Sequence, residues 1–329
     1  MRNVLLILWT AAALFLGAMA NAEVDVPTAD AKTAETKPVY IMGARQLDFK
    51  SALNGRTYRV KIAVPRSPPP EAGYPVLYVL DGESYFGTFV EIVRQLSAVR
   101  AIDAAVVVGI TYPLEEKAST RRMYDLSPTQ LPHDESDSVK EMPADAEFGG
   151  ADSFYEVVDR EIKTRVAAEA NVDPARSTLF GWSLGGLYVL HILYTHPEAF
   201  QTYAALSPSI WWNHQAVLKE MPEFERRVTG GGVAPRIFIG VGGLEQTVPK
   251  GALPPGFTRQ SMENELQSAQ MVGNVERMAA RLSALKGTPG YRVRSRIFQN
   301  ETHNSVPWVA ARPILEFAIP VSVAIPPTR

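Results

Sequence analysis

The chain has 329 residues, 46% of them hydrophobic, with a formal net charge of −2 at pH 7 and no cysteine. That is ample apolar material for a core, and the near-neutral balance offers no electrostatic footprint for nucleic acid. Without thiols there are no disulfides, no cysteine-linked lipid and no cysteine ligands for a metal.

At the N-terminus, Arg2 precedes the apolar run VLLILW and then AAALFLGAMA, and Ala20-Asn21-Ala22 supplies small residues at cleavage spacing. The apolar stretch is near the lower limit for spanning a bilayer, so residues 1–22 are expected to be a cleaved signal peptide rather than an anchor. A periplasmic or secreted location follows, with no membrane attachment after cleavage. Residues 23–37 are polar and rich in Ala and Thr, the composition of a flexible leader. Residues 38–320 are expected to form one domain, because strands and helices then alternate without a linker.

Residues 39–49 and 57–64 flank Asn54-Gly55 and predict a hairpin. PVLYVLDG (75–82) is a continuous apolar run closed by Asp-Gly, a buried strand, and 84–100 carries Phe86, Phe89, Val93 and Leu96 at helical spacing. AAVVVGIT (104–111) is a further buried strand. Residues 113–150 break the rhythm with prolines and acids and are expected to be a long loop insertion beside the site. Asp152 can cap a helix bearing Phe154, Val158 and Ile162 on one face. Strands are then expected at 177–181, 202–207 and 236–242 and in YRVRSRIF, with helices at 184–195, 261–286 and 307–318. The alternation predicts an α/β fold: a mostly parallel central sheet, helices on both faces and an antiparallel N-terminal hairpin.

Within TLFGWSLGGLYVLHIL, Gly181, Gly185 and Gly186 surround Ser183. A strand, Gly-x-Ser-x-Gly and a helix, in that order, match the nucleophile elbow, where a serine on a strained turn is lifted above the sheet. The bare motif arises by chance in about one chain in ten of this length, so its strand–turn–helix context carries the weight. A serine needs a base. Of the five histidines, His191 lies inside the following helix, His196 at its end, His214 at the start of a surface helix and His133 in the long insertion. His303 alone follows the last strand, in QNETHNSV, and serine-first, histidine-last is the order of this fold. An acid between them should orient the imidazole, and Glu245 directly follows RIFIGVG and Gly243. A Ser–His dyad without the acid is the alternative. Oxyanion donors are expected at the backbone N–H of Leu184 and of Gly82 or Glu83.

VLYVLDGESYF, RRMYDLSP, GWSLGGLYVLHILYTHPEAFQTYAALSPSIWW, VGGLE and THNSVPW together resemble the putative-esterase group of α/β-hydrolases, which includes the enterochelin (enterobactin) esterases. The likeness runs in order over about residues 40–318. It implies Ser183 as nucleophile, His303 as base, Glu245 as acid and a substrate-facing arginine at Arg122. Arg121 and Arg122 could meet an anionic catecholate or carboxylate, or could form a solvated charge pair. Trp211 and Trp212 could supply a flat wall for aromatic rings, although adjacent side chains diverge and one should enter the core.

The expected activity is hydrolysis of a carboxylic ester through an acyl-enzyme, without cofactor or metal. The expected partner is a small-molecule ester, with a siderophore trilactone, free or ferric, as the narrower substrate. The same acyl-enzyme would serve a general short-chain esterase or an acyltransferase. A siderophore-binding protein without catalysis is the reading from another class, and it would not need serine, histidine and glycine turn together.

Overall fold

The computed structural model describes residues 38–113, 118–130, 146–251, 253 and 256–322. The expected signal peptide and leader, and His133, lie outside the described residues. One eight-stranded sheet organises the rest, in the order β1-β2-β4-β3-β5-β6-β7-β8. β1 (Ala44–Lys50) and β2 (Thr57–Ala63) form the expected antiparallel hairpin, and β2 pairs antiparallel with β4 (Val106–Thr111). From β4 onward every pairing is parallel, through β3 (Tyr74–Val79), β5 (Val172–Trp182), β6 (Thr202–Leu206), β7 (Arg236–Gly242) and β8 (Arg292–Phe298). β3, β4 and β6 are buried along their whole length, which is why they read as unbroken apolar runs rather than alternating ones.

Helices cover both faces. On one, α1 (Gly82–Ala98) packs Phe86, Phe89 and Val93 into a cluster with Phe180 and Phe238. The last helix, α8 (Val306–Ala318), adds Ala310 and Ile314 to that cluster. Four further helices cover the other face. α3 runs Ala151–Glu156, passes a π-helical turn at Val157–Ile162 and continues over Lys163–Glu169. α4 is Leu184–Thr195, α5 is Met221–Thr229 and α7 is Met271–Ser283. α4 is buried nearly all round, so it behaves as a core helix rather than an amphipathic one.

Three expectations need correction. The 113–150 segment is not all loop: α2 (Ala118–Leu126) lies within it. Only Met123 and Leu126 give it apolar burial, beside the buried Asp125, so it shows no sustained apolar period. The single helix expected over 261–286 is two, α6 (Arg259–Ala269) and α7, hinged at Gln270 in the left-handed region (φ 44°). Asn274 secures that break: its N–H donates to Gln270 O and its side-chain amide to Ala269 O. Asp152 does not cap α3; Gly150 stands at the N-cap, and Asp152 instead meets His191.

Candidate active site

The parallel strands β3, β5, β6, β7 and β8 all end on the same edge of the sheet, and the loops leaving those ends converge. Ser183 leaves β5 with φ 60° and ψ −119°. That is a left-handed φ for a residue with a side chain, a strain of about 1–3 kcal/mol that its surroundings must hold. Its N–H donates to Leu206 O at 3.0 Å, and its carbonyl accepts from Leu187 N and Ser209 N. The glycines are required by close approach. A Cβ on Gly181 would collide with the Gly185 carbonyl, and one on Gly186 would lie 2.8 Å from Leu206 O. Strand and helix therefore meet backbone to backbone, and the hydroxyl is lifted clear of the sheet.

Ser183 Oγ donates to His303 Nε2 at 3.0 Å. His303 Nδ1 faces Glu245 Oε2 at 2.6 Å. The other carboxylate oxygen of Glu245 accepts from Ser207 Oγ at 2.5 Å and from Gly242 N at 2.6 Å. All four side chains are buried. The imidazole is fixed by more than its ring nitrogens. Trp182 Nε1 donates to His303 O at 3.0 Å, and the two rings lie 4.6 Å apart. Glu301 O accepts from Leu244 N, tying the β8 turn to the β7 turn. The arrangement can take a proton from serine, hold the resulting imidazolium against a buried carboxylate and return the proton to a leaving group. The dyad alternative fits less well, because Glu245 is in place and accepts three hydrogen bonds.

The other expected residues divide. Asp81, also left-handed (φ 53°), turns the chain from β3 into α1, and its carbonyl accepts from Ser84 N and Tyr85 N. Gly82 and Glu83 are thus the first residues of a helix, whose N–H groups have no intrahelical acceptor. This turn abuts the elbow: a Cβ on Gly185 would lie 3.5 Å from Asp81 Oδ2. Leu184 heads α4 and Gly82 heads α1, so two helix N-termini are side by side next to Ser183. The Glu83 side chain itself points outward and pairs with Lys61 at 2.7 Å.

Arg122 is at the site, but its guanidinium is not free for substrate alone. It forms a two-pronged pair with Asp81, one arm at 2.8 Å, and reaches Trp182 O at 3.5 Å. It therefore braces the Asp81 turn against the strand that carries Ser183. Arg121 is a correction: it turns away from the substrate side. It is 13% exposed, lies 3.8 Å from the buried Asp125, and sits over the Tyr58 and Tyr112 rings. Burial pushes the Asp125 carboxyl up to about 6. Of the two tryptophans one enters the core, as expected, so they do not form a wall together. Trp212 is 2% exposed and packs on Phe148, and Trp211, half-buried, is inclined 49° to it.

Asp81, Trp182 and Ser207 were not among the expected site residues. Asp81 stood in plain view as the Asp-Gly end of a buried strand; nothing local in the sequence marks Ser207, whose role appears only when β6 and β7 lie side by side. Among the described residues no group of three or more His, Asp or Glu side chains is placed to hold a metal ion, and no helix is long and apolar enough to cross a membrane.

A strained serine between a β-strand and a helix, with histidine and glutamate brought in from later strand ends, defines an α/β-hydrolase. More narrowly, the chain belongs to the Putative esterase family, which it matches over residues 51–281. It is 34% identical over 300 residues to the ferri-bacillibactin esterase of Bacillus subtilis, covering 89% of this chain and 95% of that one. It is 31% identical to the apo-salmochelin esterase of Escherichia coli over 54% of each chain. Among solved structures, the BES protein of Bacillus cereus superposes with a TM-score of 0.75 at 29% identity, covering 87% of this chain and 99% of that one. The siderophore hydrolase EstA of Aspergillus nidulans superposes with a TM-score of 0.74 at 25% identity, covering 88% and 100%.

Proposed function

We propose that this esterase is an exported serine hydrolase that opens the ester bonds of siderophore lactones through an acyl-enzyme. The observation that carries the mechanism is the unbroken hydrogen-bond chain Ser183–His303–Glu245 at the elbow. The substrate class is supported by relatives named for siderophore esters, one of them aligned over 89% of the chain. Export is supported by residues 1–22, whose charge, apolar run and small-residue end have the pattern of a cleaved signal.

Ser183 Oγ attacks the ester carbonyl as His303 Nε2 takes its proton. The carbonyl oxygen becomes an oxyanion, met by the N–H of Leu184 and of Gly82 or Glu83. Glu245 accepts from His303 Nδ1–H, which holds the other nitrogen basic in the resting state and stabilises the imidazolium as it forms. The proton passes from Nε2 to the leaving alcohol, and the C–O bond of the ester breaks. Water then attacks the acyl carbonyl as Nε2 takes its proton, the bond from the carbonyl carbon to Ser183 Oγ breaks to release the acid, and Nε2 returns the proton to Oγ. In a trilactone the first round opens the ring to a linear trimer that keeps two ester bonds, so two further rounds at the same site give the monomer.

The test compares wild type and Ser183→Ala on enterobactin, ferric enterobactin and p-nitrophenyl acetate. The variant is expected to lose several orders of magnitude in kcat on the best substrate, because nucleophile and base act as a unit. A residual rate near wild type would remove Ser183 from the chemistry.

A further inference from the structure

We propose that Trp308 is a stacking platform for an aryl arm of the substrate. This rests on the esterase reading above and adds to it the residue that recognises the group flanking the scissile ester. Buried Trp212 cannot serve that purpose, yet another tryptophan stands open. Trp308 is 51% exposed, and its neighbour Val309 is 44% exposed. It lies in the first turn of α8, which begins three residues after His303. A single exposed apolar side chain is ordinary, but Trp308 and Val309 are adjacent and open the helix that follows the His303 turn, so they form a small apolar patch beside the triad.

Its placement is built, not incidental. Tyr85 sits in the first turn of α1, behind the Asp81–Gly82 turn, and is itself only 6% exposed. Its ring meets Trp308 at 5.6 Å and Trp182 at 5.9 Å, and Trp182 meets the His303 ring at 4.6 Å. A continuous row of rings therefore runs from the base to the surface, and its last member is the accessible one. Tyr85 supports the indole through a tilted contact, 58° between planes. Leu244, 39% exposed next to Glu245, gives an apolar border on the other flank of the His303 loop. An aromatic amide held against Trp308 would leave the ester linked to it free to reach Ser183, and a flat ring is the shape an exposed indole recognises best.

The experiment reads a ratio: kcat/KM for enterobactin, a trilactone bearing dihydroxybenzoyl arms, over kcat/KM for p-nitrophenyl acetate, which lacks them. In Trp308→Ala the ratio should fall about ten-fold, mainly through KM for the trilactone, and Trp308→Phe should recover most of it. Binding is measured separately in the Ser183→Ala background by quenching of tryptophan fluorescence, where Trp308→Ala should raise the Kd for enterobactin about ten-fold. Trp308-dependent binding without any turnover by wild type would defeat the hydrolase reading and leave the platform standing. An unchanged ratio together with an unchanged Kd in Trp308→Ala would overturn the platform.

Discussion

His191 offers the sharpest test of how the scaffold beneath the site is held. It lies on α4, the helix that starts at the elbow, and is 3% exposed. Its Nδ1 is 2.9 Å from both oxygens of Glu220, and its Nε2 is 2.9 Å from Asp152 Oδ1. A neutral imidazole has one N–H and cannot donate to a carboxylate on each side, so the geometry calls for the imidazolium. Burial works against that charge, but the hydrogen bonds and charges of Asp152 and Glu220 outweigh it and raise His191 to about 9. Unfolded, the group titrates near 6.5, so the linkage contribution is about 3 kcal/mol. Because Asp152 is largely exposed and Glu220 is not, most of the coupling belongs to Glu220. A pKa raised on folding contributes fully below about 6.5, fades as pH climbs and is gone above about 9. Urea unfolding of wild type and His191→Gln, followed by tryptophan fluorescence from pH 6 to 9.5, would measure this. The stability difference between them should shrink by about 3 kcal/mol across that range. A difference constant to within about 0.5 kcal/mol would show that His191 is neutral in the folded chain and would refute the reasoning.

Two further outcomes follow from the geometry of the site. Ser207→Ala leaves Glu245 Oε1 with Gly242 N–H as its one remaining donor; kcat on a p-nitrophenyl ester should fall about ten-fold with KM little changed, a loss typical of one hydrogen bond to a charged group. Gly181→Ala drives a methyl group into the Gly185 carbonyl, so β5 and α4 must separate; thermal unfolding should show a Tm lower by at least several degrees, and any folded fraction should label slowly with a fluorophosphonate at Ser183.

The fold was largely legible in the sequence because the sheet is parallel and covered on both faces: such strands read as apolar runs, and the helices between them keep their period. Ser183, His303 and Glu245 were legible for a related reason. In this topology the chemistry sits in the loops that leave the strand ends, so a position directly after a strand is already a position in space. What stayed hidden depended on side-chain direction. Arg121 and Arg122 are neighbours on α2, yet one reaches Asp81 and the other enters the Tyr58–Tyr112 cluster. Sequence gives the helix turn but not its rotation over the sheet. For Trp211 and Trp212 the sequence tells that they diverge but not which is buried, and they are followed at once by Asn213, His214 and Gln215, three consecutive residues with positive φ. No propensity argument predicts that run. α2 was missed because a short helix that buries a carboxylate and stacks an arginine does not show an apolar stripe.

Three of the nine described residues with a side chain and a positive φ gather at the site. Asp81 (φ 53°), Ser183 (φ 60°) and Ser207 (φ 43°) each stand just past the C-terminal end of a parallel strand, β3, β5 and β6. At about 1–3 kcal/mol each, their combined cost is a sizeable part of the net stability of an ordinary domain. Three neighbouring strands would not carry that cost for a turn alone, since glycine adopts the same backbone freely. What glycine lacks is the side chain, and each of these has a task at the site. Asp81 holds Arg122, Ser183 presents its hydroxyl to His303, and Ser207 donates to Glu245. The buried sheet acts as the rigid frame that tolerates all three along the edge where Ser183, His303 and Glu245 meet.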